Sequence, residues 1–276
     1  MRVEFTKMHG VGNDFVVFDA PVPESLLTSA RLTALADRRT GIGFDQALLL
    51  EPPRHGECVA YYRVFNADGD EVEQCGNGAR CIAALLERRG RGRSARLMLE
   101  SPAGVTCAQL REDGEVAVDL GVPDFDPRSL PFEAPAPADS YVVDVGGERV
   151  ELGAVSIGNP HAVLMVADVD DAPVTRLGPL LERHARFPRR VNVGFAQIVS
   201  RARVRLRVFE RGAGETRGCG TGACAAVAVA RRRGLLDEGV RVEVRGGNLQ
   251  VNWAGVGEHI WLSGPAAISF EGHVEV

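Results

Sequence analysis

The fold is decided by a stretch that occurs twice in the chain. Residues 63–90 read RVFNADGDEVEQCGNGARCIAALLERRG, and residues 207–234 read RVFERGAGETRGCGTGACAAVAVARRRG. The two segments are identical at 12 of 28 positions, where chance would give about two. Because the shift of 144 is about half of the 276 residues, the repeat indicates a duplicated domain rather than a solenoid, whose period is shorter.

Fainter matches precede the repeat in each half. Gly12-Asn13 matches Gly158-Asn159, and Gln46 matches Asn192. Proline and aspartate cluster between residues 121 and 137, as at a domain boundary. The sequence therefore predicts a first half over residues 1–120 and a second half over residues 121–264. The last residues, 265–276, exceed the second half and are predicted to return to the first.

Within each half, alternating strands precede a helix of small apolar residues. The helices are predicted over residues 78–89 and 222–233, with Gly90 and Gly234 in the position of C′ glycines. Both helices are apolar all round, which is typical of a buried helix. The pattern predicts an α/β (α+β) fold of two pseudo-symmetric halves. Each half is a mostly antiparallel sheet wrapped round a buried central helix, with the active site in the cleft between the halves.

Composition and charge exclude several classes of protein. The chain is 45% hydrophobic and 25% charged, as in an ordinary globular protein. Its net charge of −5 argues against a nucleic-acid partner. It contains no apolar run of the roughly 18 residues that a membrane span needs, and its first residues lack the apolar core of a signal peptide. We therefore expect a cytoplasmic protein with a small-molecule substrate.

The lysine and cysteine content argues against bound cofactors. Lys7 is the only lysine among 32 basic residues, which argues against a pyridoxal phosphate Schiff base. The spacings between the six cysteines do not fit a zinc ribbon, and a disulfide framework is not expected without secretion. We predict that the protein uses no cofactor and no metal.

Two cysteines, Cys75 and Cys219, stand directly before the two central helices, and each is followed by Gly-Xaa-Gly. Unpaired amides and the dipole at a helix N-terminus favour anions, so each thiolate is expected to form more easily than in a free cysteine. The same amides are suited to a substrate carboxylate. Two thiols facing each other over such a carboxylate predict racemisation or epimerisation by two bases, with one removing the α proton and the other returning it.

These features resemble a known family, the diaminopimelate epimerases. The resemblance rests on six motifs in order: FTKMHGVGNDF at 5–15, FNADG at 65–69, CGNGARC at 75–81, GNPH at 158–161, ERG at 210–212 and CGTGAC at 219–224. It implies the cofactor-independent conversion of LL-2,6-diaminopimelate to the meso isomer, in lysine and peptidoglycan precursor synthesis. It also implies a homodimer.

The resemblance assigns roles to matching positions of this chain. Cys75 and Cys219 would be the acid/base pair, and His161 and Glu210 would tune the two thiols. The carboxylate at the reacting carbon would be held by Gly76, Asn77, Gly220 and Thr221. The rest of the substrate would be read by Asn13, Gln46, Asn66, Asn159, Asn192, Glu210 and Arg211. Gly218 departs from the alanine expected before Cys219, at a position that affects the turn and not the chemistry.

Other functions remain open at this point. A proline-racemase-like enzyme would use the same two thiols on a smaller substrate, without a distal site such as Glu210 and Arg211. A phenazine-biosynthesis-like isomerase of similar fold would not be expected to keep both thiols. A binding protein with inactive cysteines would keep its ligand affinity when either cysteine is lost. A dinucleotide-binding enzyme is disfavoured, because the third glycine of its fingerprint is missing.

Overall fold

The chain divides into two compact units in the computed structural model. The structure describes residues 1–72, 75–91 and 96–276. One unit comprises Met1–Val118 together with Gly264–Val276, and the other comprises Asp119–Ser263. Each unit has its own set of paired strands and its own central helix, and each is described by itself below.

The described part of the first 119 residues supplies eight strands and two helices. They are β1 (Arg2–Gly10), β2 (Asn13–Asp19), α1 (Ser29–Ala36), β3 (Gln46–Glu51), β4 (Ala60–Asn66), β5 (Glu71–Val72), α2 (Gly76–Arg88), β6 (Arg96–Ser101), β7 (Gly104–Leu110) and β8 (Val116–Asp119). A short 3₁₀ turn, Glu24–Leu27, precedes α1. Adjacent strands pair antiparallel except at β2–β3 and β4–β6, which are parallel.

The second unit repeats this order with its own strands and helices. They are β9 (Tyr141–Val145), β10 (Glu148–Ser156), β11 (Pro160–Met165), α3 (Val174–Glu182), β12 (Asn192–Ser200), β13 (Arg203–Glu210), β14 (Gly214–Thr216), α4 (Gly220–Arg232), β15 (Gly239–Val244), β16 (Gly247–Asn252) and β17 (Trp261–Gly264). The parallel pairs are again two, β11–β12 and β13–β15, among the described strands.

The C-terminal strand β18 (Ala267–Glu275) belongs to the first unit. It runs antiparallel to β1, with Val3 opposite Val274. In the second unit β9 holds the same place, because it pairs antiparallel with β10, the counterpart of β1. The two units therefore have the same sequence of strand pairings, which confirms the predicted fold class of two similar, mostly antiparallel α/β halves.

The repeated sequence forms the same ion pair in both units. In the first, Arg63 on β4 binds Glu71 on β5 with a shortest distance of 2.6 Å. In the second, Arg207 on β13 binds Glu215 on β14 at 2.7 Å. Each pair fixes a short strand just before the central helix begins, so the repeat preserves the entry into the helix as well as the helix.

The central helices are buried, as their sequences predict, but both begin two residues earlier than predicted. They start at Gly76 and Gly220, each directly after a cysteine. Close packing accounts for the next glycine of each motif. A Cβ on Gly78 would lie 3.2 Å from Leu48 Cδ2 of β3, and one on Gly222 would lie 3.0 Å from Val208 Cγ2 of β13. Glycine at these positions lets the first turn of each helix lie against the sheet.

The shorter helices, α1 and α3, were not predicted from the sequence. Each is brief, at eight and nine residues, and α3 contains Pro179. Their buried leucines make separate cores. Leu32 and Leu35 of α1 pack with Phe18 and Phe44, while Leu177 of α3 lies in a core with other side chains of its unit.

Candidate active site

Each candidate cysteine is the N-cap residue of a central helix. Cys75 precedes α2 with φ −142° and ψ 115°, and Cys219 precedes α4 with φ −116° and ψ 115°. The extended backbone of an N-cap leaves the first amides of the helix without partners inside it. Both thiols therefore stand beside groups that can hold an anion, and each does so within its own unit.

Cys219 is buried, with 5% of the residue exposed. The pKa of its thiol is raised well above the ordinary value. Burial is the main cause, and the negative charge of Glu210 is the next. Thr221 Oγ1 at 3.6 Å and the Gly222 N–H at 3.4 Å act in the opposite direction. The expectation of an easily ionised thiol is therefore wrong for Cys219 in this structure, because the loss of hydration outweighs what the helix terminus supplies.

Glu210 lies at the end of β13 and accepts a hydrogen bond from the Thr216 hydroxyl. A hydrogen bond between its carboxylate and Cys219 contributes to the raised pKa of the thiol. A carboxylate accepts from S–H and repels a thiolate, so it stabilises the protonated sulfur on both counts. Glu210 thus keeps Cys219 in the form that can donate a proton.

A buried histidine is connected to this thiol through two neighbours. His161 Nε2 lies 2.9 Å from Asn159 Oδ1, and Asn159 Nδ2 donates to Thr221 Oγ1 at 3.4 Å. Burial, together with the positive charge of Arg211, lowers the pKa of His161 to about 3. The imidazole is therefore neutral, and this arrangement requires its proton on Nε2, facing the Asn159 carbonyl. Its effect on Cys219 is indirect, through the orientation of Asn159 and Thr221.

Asn192 uses its amide to fix the turn that carries Arg211. Its Oδ1 accepts the Arg211 backbone N–H at 3.0 Å, and its Nδ2 donates to the Pro160 carbonyl at 3.1 Å. Arg211 itself is exposed, and its guanidinium donates to the Arg189 carbonyl at 3.3 Å. The exposed guanidinium retains donors for a further partner.

Sequence reasoning missed Glu182, the last residue of α3, which supports the same turn. Its side chain is 3% exposed, and Oε1 accepts the Gly212 N–H at 2.9 Å. Arg183 and Arg190 lie 3.3 and 3.8 Å from its carboxylate. Nothing in the local sequence marks Glu182 as special, because its role depends on a turn 30 residues later.

In the first unit, Asn13 and Asn77 meet at the N-terminus of α2. Asn77 Nδ2 donates to Asn13 Oδ1 at 3.1 Å, and Cys75 Sγ lies 3.9 Å from the same oxygen. Gln46 Nε2 donates to Asn66 Oδ1 at 2.9 Å, where β3 and β4 pair. The structure thus brings Asn13, Cys75 and Asn77 together, and pairs Gln46 with Asn66 nearby in the same sheet.

Behind Asn13 lies a charged network that the sequence did not predict. Arg38 binds Asp14 and Asp45, each with a shortest distance of 2.7 Å. Lys7, the single lysine, is buried and also binds Asp14. Burial alone would raise the pKa of Asp14, but the hydrogen bonds and charges of Arg38 and Lys7 lower it to about 2. Lys7 is therefore a structural cation in the first unit.

The described ranges, 1–72, 75–91 and 96–276, lack two features. They contain no group of three or more His, Cys, Asp or Glu residues that could hold a metal ion. They also contain no helix long and apolar enough to cross a membrane.

Comparison with known proteins identifies one family. The family model described as diaminopimelate epimerase matches residues 5–125 and 153–268. The diaminopimelate epimerase of Alkalilimnicola ehrlichii is 51% identical over 278 residues, and that of Thioalkalivibrio sulfidiphilus is 52% identical over 278 residues. In both cases the alignment covers all of this chain and all of the relative.

Solved structures of lower identity share the fold. A hydroxyproline epimerase from Agrobacterium vitis is 18% identical with a TM-score of 0.72, covering 99% of this chain and 92% of that one. A PhzF-family phenazine biosynthesis protein from Bacillus anthracis is 17% identical with a TM-score of 0.71, covering 100% of both chains. At these identities the likeness concerns the fold alone.

Proposed function

The chain belongs to the diaminopimelate epimerase family, and we propose that it converts LL-2,6-diaminopimelate to meso-diaminopimelate by moving a proton at one α carbon. The observation that carries this proposal is the pair of cysteines, Cys75 and Cys219, each capping a central helix in one of two similarly built units. The reaction is an isomerisation that serves lysine and peptidoglycan precursor synthesis.

The two thiols act on opposite faces of the same α carbon. One sulfur, as thiolate, takes the α proton and becomes a thiol, while the other thiol gives its proton to the opposite face and becomes a thiolate. Cys219 is protonated in this structure because of its burial and of Glu210, which suits it to the donating step. In the reverse direction Cys219 must lose that proton first, and Glu210 is the adjacent group able to accept it.

The carbanion formed between these two steps needs donors around its carboxylate. In the proposed complex the carboxylate lies against the first amides of α2 and α4, contributed by Gly76, Asn77, Gly220 and Thr221. These amides are fixed before substrate arrives, so they stabilise developing charge without reorganisation. No cofactor is required for this chemistry.

The distal amino-acid end of the substrate is read by polar side chains of both units. Arg211 is suited to the distal carboxylate because a guanidinium binds a carboxylate through two parallel hydrogen bonds. The amide groups of Asn13, Gln46, Asn66, Asn159 and Asn192, with Glu210, supply the remaining donors and acceptors. Both ends of the Asn192 amide already form hydrogen bonds with backbone groups, those of Pro160 and Arg211. We therefore assign Asn192 mainly to positioning Arg211.

The alternative, a racemase of a smaller amino acid, is less well supported. The relatives named diaminopimelate epimerase are about 50% identical over the whole chain, whereas the hydroxyproline epimerase is 18% identical. Arg211 is exposed on a turn that Asn192 and Glu182 hold by hydrogen bonds. Its guanidinium would have no partner on a substrate without a distal carboxylate.

The direct test is α-hydrogen exchange in heavy water. Purified protein is incubated with LL-diaminopimelate, and in parallel with L-proline, and the α signals are followed by NMR. We expect exchange and formation of the meso isomer with diaminopimelate and none with proline. Exchange with proline alone would favour the alternative, and exchange with neither would refute the proposed reaction.

We further propose that the enzyme is a cytoplasmic homodimer, as the family resemblance implies. Light scattering during gel filtration should give twice the chain mass of 29.6 kDa. A mass equal to that of one chain at micromolar concentration would refute the dimer without affecting the proposed reaction.

A further inference from the structure

We propose that Asp45 is a positioning residue that turns the Asn13 amide so that its carbonyl oxygen faces Cys75 and Asn77. The proposal rests on the proposed function only in treating Cys75 as an acid/base. Its basis is the pattern of hydrogen bonds around Asn13, in which each end of the amide has a different kind of partner.

The partner on one side of Asn13 is a carboxylate. Asn13 Nδ2 donates to Asp45 Oδ2 at 3.0 Å. A carboxylate at neutral pH has no proton to donate, so only the NH₂ end of the amide can face it. The carbonyl end must then point the other way, where Oδ1 accepts from Asn77 Nδ2 at 3.1 Å and lies 3.9 Å from Cys75 Sγ.

Asp45 is itself held in place from several directions. Arg38 Nη2 lies 2.7 Å from Asp45 Oδ1, and the Asp14 N–H donates to Asp45 Oδ2 at 3.1 Å. The Asp45 N–H in turn donates to Asp14 Oδ1 at 3.1 Å. This reciprocal pair joins the start of β2 to the residue just before β3, so the carboxylate that faces Asn13 is anchored at both its backbone and its side chain.

The orientation of the amide decides which form of Cys75 is favoured. A carbonyl oxygen accepts from S–H and so stabilises the thiol, whereas an NH₂ group would donate to the sulfur and stabilise the thiolate. In Asp45→Asn the facing group can donate or accept, so Asn13 is no longer restricted to one orientation. Other titratable groups near Cys75 include Tyr62 of β4 and Cys81 of α2, and neither changes in this variant.

The first measurement uses single-cysteine backgrounds. Asp45→Asn is introduced into Cys219→Ala, which retains Cys75, and into Cys75→Ala, which retains Cys219. Each protein eliminates a leaving group from the β carbon of a diaminopimelate analogue, a reaction that needs only one base. The acid limb of the pH–rate profile should move to lower pH by about half a unit or more with Cys75, and stay in place with Cys219.

The second measurement does not depend on activity. Alkylation by iodoacetamide is followed against pH by peptide-resolved mass spectrometry in the chain with both cysteines. The midpoint for Cys75 should fall by a similar amount in Asp45→Asn, and the midpoint for Cys219 should not move. If no single-cysteine variant eliminates from either configuration, the proposed function fails while this measurement still decides the role of Asp45.

The matched control is Asp14→Asn, which removes a negative charge from the same network but leaves the Asn13–Asp45 hydrogen bond. We expect its Cys75 midpoint to shift less than that of Asp45→Asn. Equal shifts in the two variants would mean that net charge and not amide orientation controls the thiol. Equal shifts at both cysteines, or no shift at Cys75, would also overturn the proposal.

Discussion

The N-termini of α2 and α4 have the same backbone but differ in their neighbours. With the shift of 144, Asn66 of the first unit corresponds to Glu210 of the second, and Asn77 corresponds to Thr221. Cys75 has the Asn13 carbonyl 3.9 Å from its sulfur, whereas Cys219 is buried beside a carboxylate that raises the pKa of its thiol. The two helix N-termini share a backbone scaffold, while the side chains around the two thiols differ.

The equivalent asparagines of the two units also face their helices differently. Asn13 presents its carbonyl oxygen to the N-terminus of α2, because Asp45 holds its NH₂ group. Asn159 presents its NH₂ group to Thr221 at the N-terminus of α4, while its carbonyl faces the neutral His161. Asparagine therefore supplies an acceptor at Cys75 and a donor near Cys219. The partner at the other end of each amide, Asp45 or His161, decides which.

The largest effect is expected when either thiol is removed. Cys75→Ala and Cys219→Ala should each lose epimerisation, since the reaction needs one sulfur to take the proton and one to return it. Each variant should still eliminate a β-leaving group from one α configuration of a substrate analogue, and the two should prefer opposite configurations. Chiral chromatography of the remaining analogue measures this preference. The same preference in both variants would refute the two-sided mechanism.

Making the second site resemble the first should have the next largest effect. Glu210→Asn copies Asn66, removing a negative charge and an acceptor from Cys219, so the pKa of this thiol should fall. We expect a loss of kcat of about 100-fold, as for removal of a general acid–base group. Peptide-resolved alkylation and steady-state kinetics check both points. The control is Glu258→Gln, at an exposed position of the same unit. An unchanged kcat in Glu210→Asn would exclude Glu210 from proton transfer.

Much of this comparison could be predicted from the sequence because the two units repeat. The helices after Cys75 and Cys219 are apolar on all sides, which indicates burial without knowledge of the fold. The first two residues of each helix were not predicted, because glycine is a poor helix former. The close packing that Gly78 and Gly222 allow depends on the facing strands. The helices α1 and α3 were missed since each is short and stabilised by its own core rather than by a long apolar pattern.

The differences between the sites were harder to predict than their similarity. A helix N-terminus predicts an ionised thiol, but the burial of Cys219 depends on the packed structure and reverses the expected direction. The roles of Asp45 and Glu182 rest on residues 32 and 30 positions away in the chain. No local pattern shows such contacts. The motifs predict which residues belong to the site, and the structure was needed to determine which of them lie near each thiol.

A third prediction concerns stability and compares His161 with Phe15, its counterpart in the first unit. The folded-state pKa of His161 is about 3, against 6.5 for the ordinary group, so the unfolded chain binds a proton first as the pH falls. His161 therefore lowers the free energy of unfolding progressively from about pH 6.5 downwards. Between pH 7 and pH 5 this loss is about 2 kcal/mol.

His161→Phe should remove this acid sensitivity, so that urea unfolding at the two pH values gives a drop smaller by that amount. The comparison is made within each protein, which cancels any cost of fitting the larger ring. His273→Gln, at an exposed position, should leave the drop unchanged. An equal drop in wild type and His161→Phe would mean that His161 is not held neutral in the folded protein.

The smallest effect is expected at Arg211, which has Ala67 as its counterpart in the first unit. The second unit presents a guanidinium at this turn where the first has Ala67, so under the proposed function the two halves would differ in recognition of the distal carboxylate. Arg211→Lys keeps the charge but loses the two-pronged hydrogen bond. We expect kcat/KM to fall about tenfold, the equivalent of one charge-assisted hydrogen bond. The control is Arg201→Lys, at an exposed ion pair with Asp237.

An analogue without the distal carboxylate should exchange its α hydrogen equally slowly in wild type and Arg211→Lys. If the variant instead slowed both substrates alike, Arg211 would act on the structure of the turn and not on the distal end of the substrate.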